Sequence, residues 1–328
     1  MTARERATAS ARGKVILFGE HAVVYGEPAI AASIARGAHA TATRLADGAP
    51  SVLYLGERRV STAPSTPSEL GDDLQRAWSA LIAAAPCPSV DVVATAELPP
   101  GGGLGCSAAL GVAIARALAA LDDADDVGDV DEAATIAARA AAWERVHHGN
   151  PSGIDAAAAL HGGCFIYTRA AGARPLRLGV PLRLAIGWTG TASSTHAMVD
   201  SVARLGERRP AVLARSVEAI AALVRGAEHA LQAGDVDGLG KLLDLNQILL
   251  AGLMVSSEAI EAMCASARQS GAYGAKLTGA GGGGSVIALI GAATEPAEAL
   301  AEREQHVLDG WQQAGFSGFA VTIEGLDP

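Results

Sequence analysis

Two runs of glycine constrain this chain more than any other feature. The first is Pro99–Pro100–Gly101–Gly102–Gly103–Leu104–Gly105–Cys106–Ser107; the second is Gly279–Ala280–Gly281–Gly282–Gly283–Gly284–Ser285. Glycine weakens helix and strand interiors but lets another group come close to the backbone. Each run therefore reads as a loop built for close approach. The first lies between the alternating, strand-like Ser89–Ala96 and the Ala-rich, helical Ala108–Leu121. Backbone N–H groups of such a loop, together with the positive end of the helix that follows, form a cradle for phosphate. The spacing matches neither the GxxxxGK[ST] loop nor the GxGxxG dinucleotide fingerprint. A bare glycine run also suits a flexible turn, but the preceding prolines and the following Ser107 favour a rigid, ligand-shaped loop. Ser107 can cap the helix or place its hydroxyl on a magnesium ion. The second run permits close packing against a ligand or against the first loop.

At 328 residues the chain is long enough for two domains sharing one site. Half its residues are hydrophobic but only 4% are aromatic, so Ala, Leu, Val and Ile must fill the core. A net charge of −10 argues against nonspecific nucleic-acid binding. It does not argue against a nucleotide, which local amides and one or two cations can hold. The four cysteines Cys87, Cys106, Cys164 and Cys264 are far apart and form no CxxC pair, which fits a reducing compartment rather than disulfides or zinc. Residues 1–12 have no apolar signal-like core, and no apolar run reaches a membrane-spanning length. These features predict a soluble cytoplasmic protein with no membrane partner.

Along the chain, Lys14–Phe18 reads as a strand leading into Gly19–Glu20–His21, and Pro28–Ala35 as a second apolar stretch. Residues 44–60 suggest a strand pair, 61–68 a surface loop, and Leu70–Ala85 a helix. The acidic stretch Asp122–Asp131 reads as a linker. Glu132–His148 reads as a helix stopped by Gly149–Asn150–Pro151, and Ser152 as the cap of a short helix to about His161. Gly162–Thr168 and Leu182–Trp188 read as strands, the latter opening a second domain. Val212–Ala233, Leu239–Leu253 and Glu258–Ser270 read as helices, and Ser285–Ile290 as a strand. Helices and strands mix without regular alternation, which predicts an α+β fold, divided into residues 1–180 and 181–328.

Three further segments carry chemistry. In Glu144–Arg145–Val146–His147–His148–Gly149–Asn150–Pro151–Ser152–Gly153–Ile154–Asp155, Asp155 follows Ser152 by three, as in a capping box. Asp155 either stabilises the helix start or, held ionised there, accepts or positions a substrate proton. Glu144 is placed to return to the same pocket as a metal ligand, whereas His147 and His148 read as helix-end residues. In Arg12–Gly26, Lys14 sits in an apolar setting where its cation wants a carboxylate or phosphate. Glu20 and His21 follow a glycine at a strand end, where side chains often face a site. Cys106 admits two readings: a thiol activated by the helix start, or a small buried hydrophobe.

Together these segments resemble the motifs of the GHMP small-molecule kinases. Within that family KVILFGEHAVVYGEPAIA, HGNPSGID, NQILLAGLMVSSEAIEAM and GAYGAKLTGAGGGGS look like mevalonate kinases, in order from Lys14 to Ser285. The resemblance implies a ribosomal protein S5 domain 2-like N-terminal domain and a ferredoxin-like C-terminal domain, with ATP and acceptor in the cleft between them. It implies phosphoryl transfer from ATP to the C5 hydroxyl of mevalonate, with Mg²⁺ as cofactor; a homodimer is compatible with it. Carried over by position, Lys14, Pro100, Gly101, Gly102, Gly103, Leu104, Gly105, Cys106 and Ser107 would bind ATP. Ser107 and Glu144 would hold Mg²⁺, and Asp155 and Lys14 would be catalytic. Lys14, Glu20, His21, Asp155 and Thr195 would contact the acceptor, and Gly279, Ala280, Gly281 and Gly282 form the third motif. The chain departs from the pattern in three places. Cys106 replaces the first of two serines, Gly190–Thr195 lacks the basic residues often found there, and Met254 replaces a usual glycine, an exchange expected to be neutral. The alternatives are another acceptor such as phosphomevalonate, for which residues 190–196 offer no Arg or Lys, and a non-catalytic ligand sensor, which the intact Lys14, Ser107, Glu144 and Asp155 disfavour.

Overall fold

The computed structural model describes residues 5–63, 72–121, 132–148 and 153–325. The expected linker 122–131, the stop at 149–151, the Ser152 cap and most of the 61–68 loop lie outside these residues. The chain divides into two compact units, each discontinuous in sequence. One comprises Met1–Gly13, Arg36–Leu98 and Gly105–Pro151; the other comprises Lys14–Ala35, Pro99–Leu104 and Ser152–Pro328.

The first unit is an antiparallel-rich sheet with a helical layer. Strand β1 spans Arg6–Phe18 and β2 Ala29–Arg44. The C-terminal half of β2 pairs antiparallel with β5, Val90–Ala96, from Ala38↔Ala96 to Arg44↔Val90. The hairpin β3, Val52–Leu55, and β4, Arg58–Ser61, adds β3 parallel to β5. Along β5 the buried residues are Val90, Val92 and Ala94, the period of two of a sheet with one covered face. That face is covered by α1 (Asp73–Ala83) and α2 (Cys106–Ala119), and α3 (Glu132–His148) packs on both helices. Helix α2 is buried at nearly every position from Ala108 to Leu118, as expected of a helix apolar all round.

The second unit contains a four-stranded antiparallel sheet, β11-β8-β10-β9, from Leu182–Trp188 (β8), Gly274–Thr278 (β9), Ser285–Ala292 (β10) and Ser317–Ile323 (β11). With helices between β8 and β9 and between β10 and β11, this is the β-α-β-β-α-β order of a ferredoxin-like domain. Helices α8 (Glu258–Gln269) and α9 (Ala297–Gln313) seal one face through Met263, Cys264, Val307 and Trp311. Helices α5 (Thr195–Arg208), α6 (Pro210–Ala233) and α7 (Val236–Gly252) precede them. Elsewhere in this unit the start of β2 pairs with β6, Cys164–Thr168, and β6 with β7, Gly172–Pro175. Helix α4, Ile154–His161, packs through Ile154, Ala157 and Ala158 against Phe165 and Tyr167.

Several elements are longer or more numerous than the sequence suggests. The apolar run at 14–18 is only the end of β1, whose first half alternates weakly with Ala, Ser and Thr. Helix α7 starts at Val236 because Asp235 caps it, accepting from the Gly238 N–H at 2.9 Å. Helices α5 and α9 and strands β7 and β11 have no counterpart in the sequence reading. Met254 is not a neutral exchange: its φ is 62°, in the left-handed region that glycine favours. Among the described residues no helix is long and apolar enough to cross a membrane.

Candidate active site

In the second unit the end of β1 delivers Lys14 to the first glycine loop. The Lys14 N–H donates to the Leu104 carbonyl at 2.9 Å, and its Nζ donates to the Gly103 carbonyl at 2.9 Å. The same Nζ lies 3.1 Å from Asp155 Oδ1. Asp155 stands in the first turn of α4, whose cap is Gly153 at a φ of 89°. The lysine side chain is 4% exposed and the aspartate 31%, so the cation is sheltered while the carboxylate reaches solvent. Lys14 thus ties Asp155 to a glycine-loop carbonyl, the kind of partner its apolar setting called for.

The second glycine loop packs on the first within this unit. A Cβ on Gly103 would stand 2.8 Å from the Thr278 carbonyl oxygen, and one on Gly279 would stand 3.1 Å from Gly103 Cα. Ser193 joins both loops: its N–H donates to the Gly101 carbonyl at 3.0 Å and its hydroxyl to the Gly281 carbonyl. Thr278 Oγ1 accepts from the Ile16 N–H at 2.8 Å, holding β9 to β1. Thr195 is the first residue of α5, capped by Ser194, and is exposed.

Glu20 and His21 are both buried. Glu20 forms an ion pair with Lys276, and Asn246 Nδ2 donates to its other oxygen at 3.2 Å. Lys276 Nζ also donates to the carbonyls of Leu277, at 2.6 Å, and Ile16, at 3.4 Å. Burial pushes Glu20 up and Lys276 down, each against the opposing pull of its partner. Glu20 is thereby occupied as an anchor for the Gly19–His21 turn. His21, at a φ of 61°, donates from Nε2 to the Ala280 carbonyl at 2.8 Å, which leaves Nδ1 as an acceptor. Burial lowers its pKa, so the ring is neutral at neutral pH. The sequence reading gave Lys276, Asn246 and Thr278 no role. A lysine inside the wholly buried strand GAKLT was the available signal, since a buried ammonium requires an anion.

In the first unit Ser107 and Glu144 meet directly: Ser107 Oγ donates to Glu144 Oε1 at 2.7 Å. Glu144 is 3% exposed. Trp143, also without a role in the sequence reading, donates from Nε1 to the Ser107 carbonyl at 3.0 Å and to its hydroxyl at 3.2 Å. Cys106 is not activated. Its thiol donates to the Leu98 carbonyl at 3.6 Å, and burial pushes it up to about 11, outweighing any pull from the start of α2.

Comparisons with known proteins agree with this geometry. Residues 73–163 match the GHMP kinases N terminal domain and residues 227–307 the GHMP kinases C terminal domain. The mevalonate kinase of Methanothermobacter thermautotrophicus is 35% identical over 283 residues, 86% of this chain and 90% of that protein. That of Aeropyrum pernix is 33% identical over 297 residues, 88% of this chain and 89% of that one. The chain belongs to the GHMP kinases, among the mevalonate kinases. Its fold is theirs: the L. major mevalonate kinase, solved in complex with R-mevalonate, superposes with a TM-score of 0.81 at 27% identity, covering 100% of this chain and 99% of that one. A galactokinase of Lactococcus lactis, 18% identical, shares the fold with a TM-score of 0.76. The first domain match includes the first glycine loop, Glu144 and Asp155, and the second includes Lys276 and the other loop.

Proposed function

We propose that this kinase transfers the γ-phosphoryl group of ATP to the C5 hydroxyl of (R)-mevalonate, giving 5-phosphomevalonate and ADP in the cytoplasm. The observation that carries the reading is the sheltered Lys14–Asp155 pair, 3.1 Å apart, fixed to the carbonyl of Gly103 in the glycine loop. Phosphoryl transfer asks the protein mainly for positioning and for charge placed where charge develops. Asp155 orients the acceptor hydroxyl and receives its proton, while Lys14 holds the carboxylate in place and offsets charge at the attacking oxygen. Backbone N–H groups of Gly101–Ser107 hold the phosphates at the start of α2. His21, neutral, and Thr195 contact the acceptor, and Glu20 fixes His21 from behind. The family's two domains divide near residue 180, a boundary supported by the ferredoxin-like set that opens at Leu182.

The hydroxyl of Ser107 and the carboxylate of Glu144 are hard oxygen donors 2.7 Å apart, a set that fits Mg²⁺ carried in by a nucleotide. Such an ion needs only one or two protein ligands, because phosphate and water supply the rest. Magnesium bound there would neutralise charge on the β- and γ-phosphates. The test is coupled ADP release over a panel of acceptor alcohols. Mevalonate is expected to give the highest kcat/KM, and Glu144→Gln is expected to raise the Mg²⁺ requirement with little change in mevalonate KM. Faster turnover of phosphomevalonate, or ATP hydrolysis indifferent to every acceptor, would overturn the assignment.

A further inference from the structure

Trp143 stands immediately before Glu144 on α3 and is 1% exposed. Its indole N–H is shared between the carbonyl oxygen and the hydroxyl of Ser107, at 3.0 and 3.2 Å. A serine hydroxyl has one proton and two lone pairs. Here the proton goes to Glu144 Oε1 at 2.7 Å, and one lone pair accepts from Trp143. One lone pair is left, and its direction is set by the other two bonds. Without the indole N–H the hydroxyl keeps a single restraint and turns about its Cβ–Oγ bond.

The surroundings are built to keep the indole there. Gly111 lies four residues after Ser107, on the same face of α2. A Cβ at Gly111 would come within 2.7 Å of Trp143 Cδ1 and 2.9 Å of Cγ. His147, one turn further along α3, tilts its ring against the indole at 57° with centroids 5.2 Å apart. Glycine on one side and histidine on the other thus locate a ring whose only polar atom is directed at Ser107.

We propose that Trp143 is a positioning residue for the metal–nucleotide site, presetting Ser107 so that its remaining lone pair is available to the cation before nucleotide arrives. The inference rests on the reading of Ser107 and Glu144 as the metal ligands. It adds to that reading a residue that never touches the metal and acts through the hydroxyl. Gly111 belongs to the same device, because any larger residue displaces the indole.

The experiment measures Mn²⁺–ADP binding by isothermal titration calorimetry, alongside acceptor KM. Trp143→Phe keeps an aromatic ring against Gly111 and removes the N–H. Mn²⁺–ADP affinity is expected to fall roughly five-fold, the equivalent of about 1 kcal/mol for one hydrogen bond. Acceptor KM should not move. Gly111→Ala, which retains the N–H but pushes the ring away, should weaken binding in the same direction and carries the test if Trp143→Phe does not fold. In a Ser107→Ala background Trp143→Phe should cause no further loss, since the effect passes through the hydroxyl. Wild-type affinity in both Trp143→Phe and Gly111→Ala, with Ser107→Ala and Glu144→Gln weakened, would overturn the positioning role while leaving the metal ligands standing. Wild-type affinity in Ser107→Ala and Glu144→Gln would remove the metal-site reading and this inference with it.

Discussion

Lys276→Met should destabilise the protein by an amount that depends on pH in a calculable way. Methionine is close to lysine in length and leaves Glu20 in a wholly buried setting, with the Asn246 amide as its remaining side-chain partner. An ionised carboxylate stranded there would cost about 3–5 kcal/mol. Protonating it instead costs about 1.4 kcal/mol for each pH unit above its ordinary value of 4.5, because that value governs the unfolded chain. At pH 7 this amounts to roughly 3 kcal/mol, and at pH 5.5 to roughly 1 kcal/mol. The variant takes the cheaper route, so protonation sets the upper limit. The sign follows from linkage. A carboxyl whose folded pKa is raised contributes no penalty below the unfolded pKa. The penalty grows as pH rises from there and levels off above the folded pKa. In the wild type, Lys276 opposes that rise without cancelling it, so Glu20 is pushed up less far and the penalty levels off at a lower pH. Urea denaturation of both proteins from pH 5 to 7.5 should therefore show a difference that widens with pH by at most about 1.4 kcal/mol per unit. Glu20→Gln combined with Lys276→Met should lose that slope. A pH-independent difference, or the same slope in the double variant, would refute the buried pair as described.

Asp155→Asn should lower kcat by on the order of 10²-fold or more while nucleotide affinity stays near wild type; near-normal turnover in a steady-state assay would remove Asp155 from proton handling. Cys106, with its thiol pushed up to about 11, should be alkylated no faster than Cys87 in limited iodoacetamide labelling mapped by mass spectrometry, and Cys106→Ser should keep turnover within several-fold. Preferential labelling of Cys106 that MgATP suppresses would contradict its burial. Met254→Gly should raise stability by up to about 1 kcal/mol. Relief of a φ of 62° outweighs the added freedom of the unfolded chain, and the side chain, 76% exposed, gives up little packing. A lower Tm for Met254→Gly would show the strain to be absent.

What the sequence disclosed well was local: loops announced by glycine, and a lysine set in an apolar run. What it withheld was partnership across the chain. Lys276 and Glu20 are separated by 256 residues and Ser107 and Trp143 by 36, and nothing in either neighbourhood names the other. Helix α9 was missed because its buried residues Val307 and Trp311 are few among many charges, so its apolar stripe is thin. Cys106 admits two readings because a helix start pulls a thiol's pKa down and burial pushes it up, and the extent of burial depends on packing by residues remote in sequence.

The glycine loops answer to two separate requirements. Their composition correctly announced close approach, and a phosphate was the natural visitor to infer. Within the second unit, however, the neighbours that exclude a side chain are protein atoms. A Cβ at Gly101 would meet Ala192 Cβ at 2.8 Å, one at Gly103 the Thr278 carbonyl at 2.8 Å, and one at Gly281 the Val255 carbonyl at 2.1 Å. Glycine would be required at these three positions even if no nucleotide ever bound, because they bring the Gly279–Gly284 loop, the Gly101–Gly103 segment and the stretch before α5 into backbone contact. The requirement for glycine and the requirement for phosphate are therefore separable. The first is met by the packing of this unit. Under the proposed function the second would fall to the backbone N–H groups and to Lys14, Ser107 and Glu144, whose chemistry no glycine count discloses.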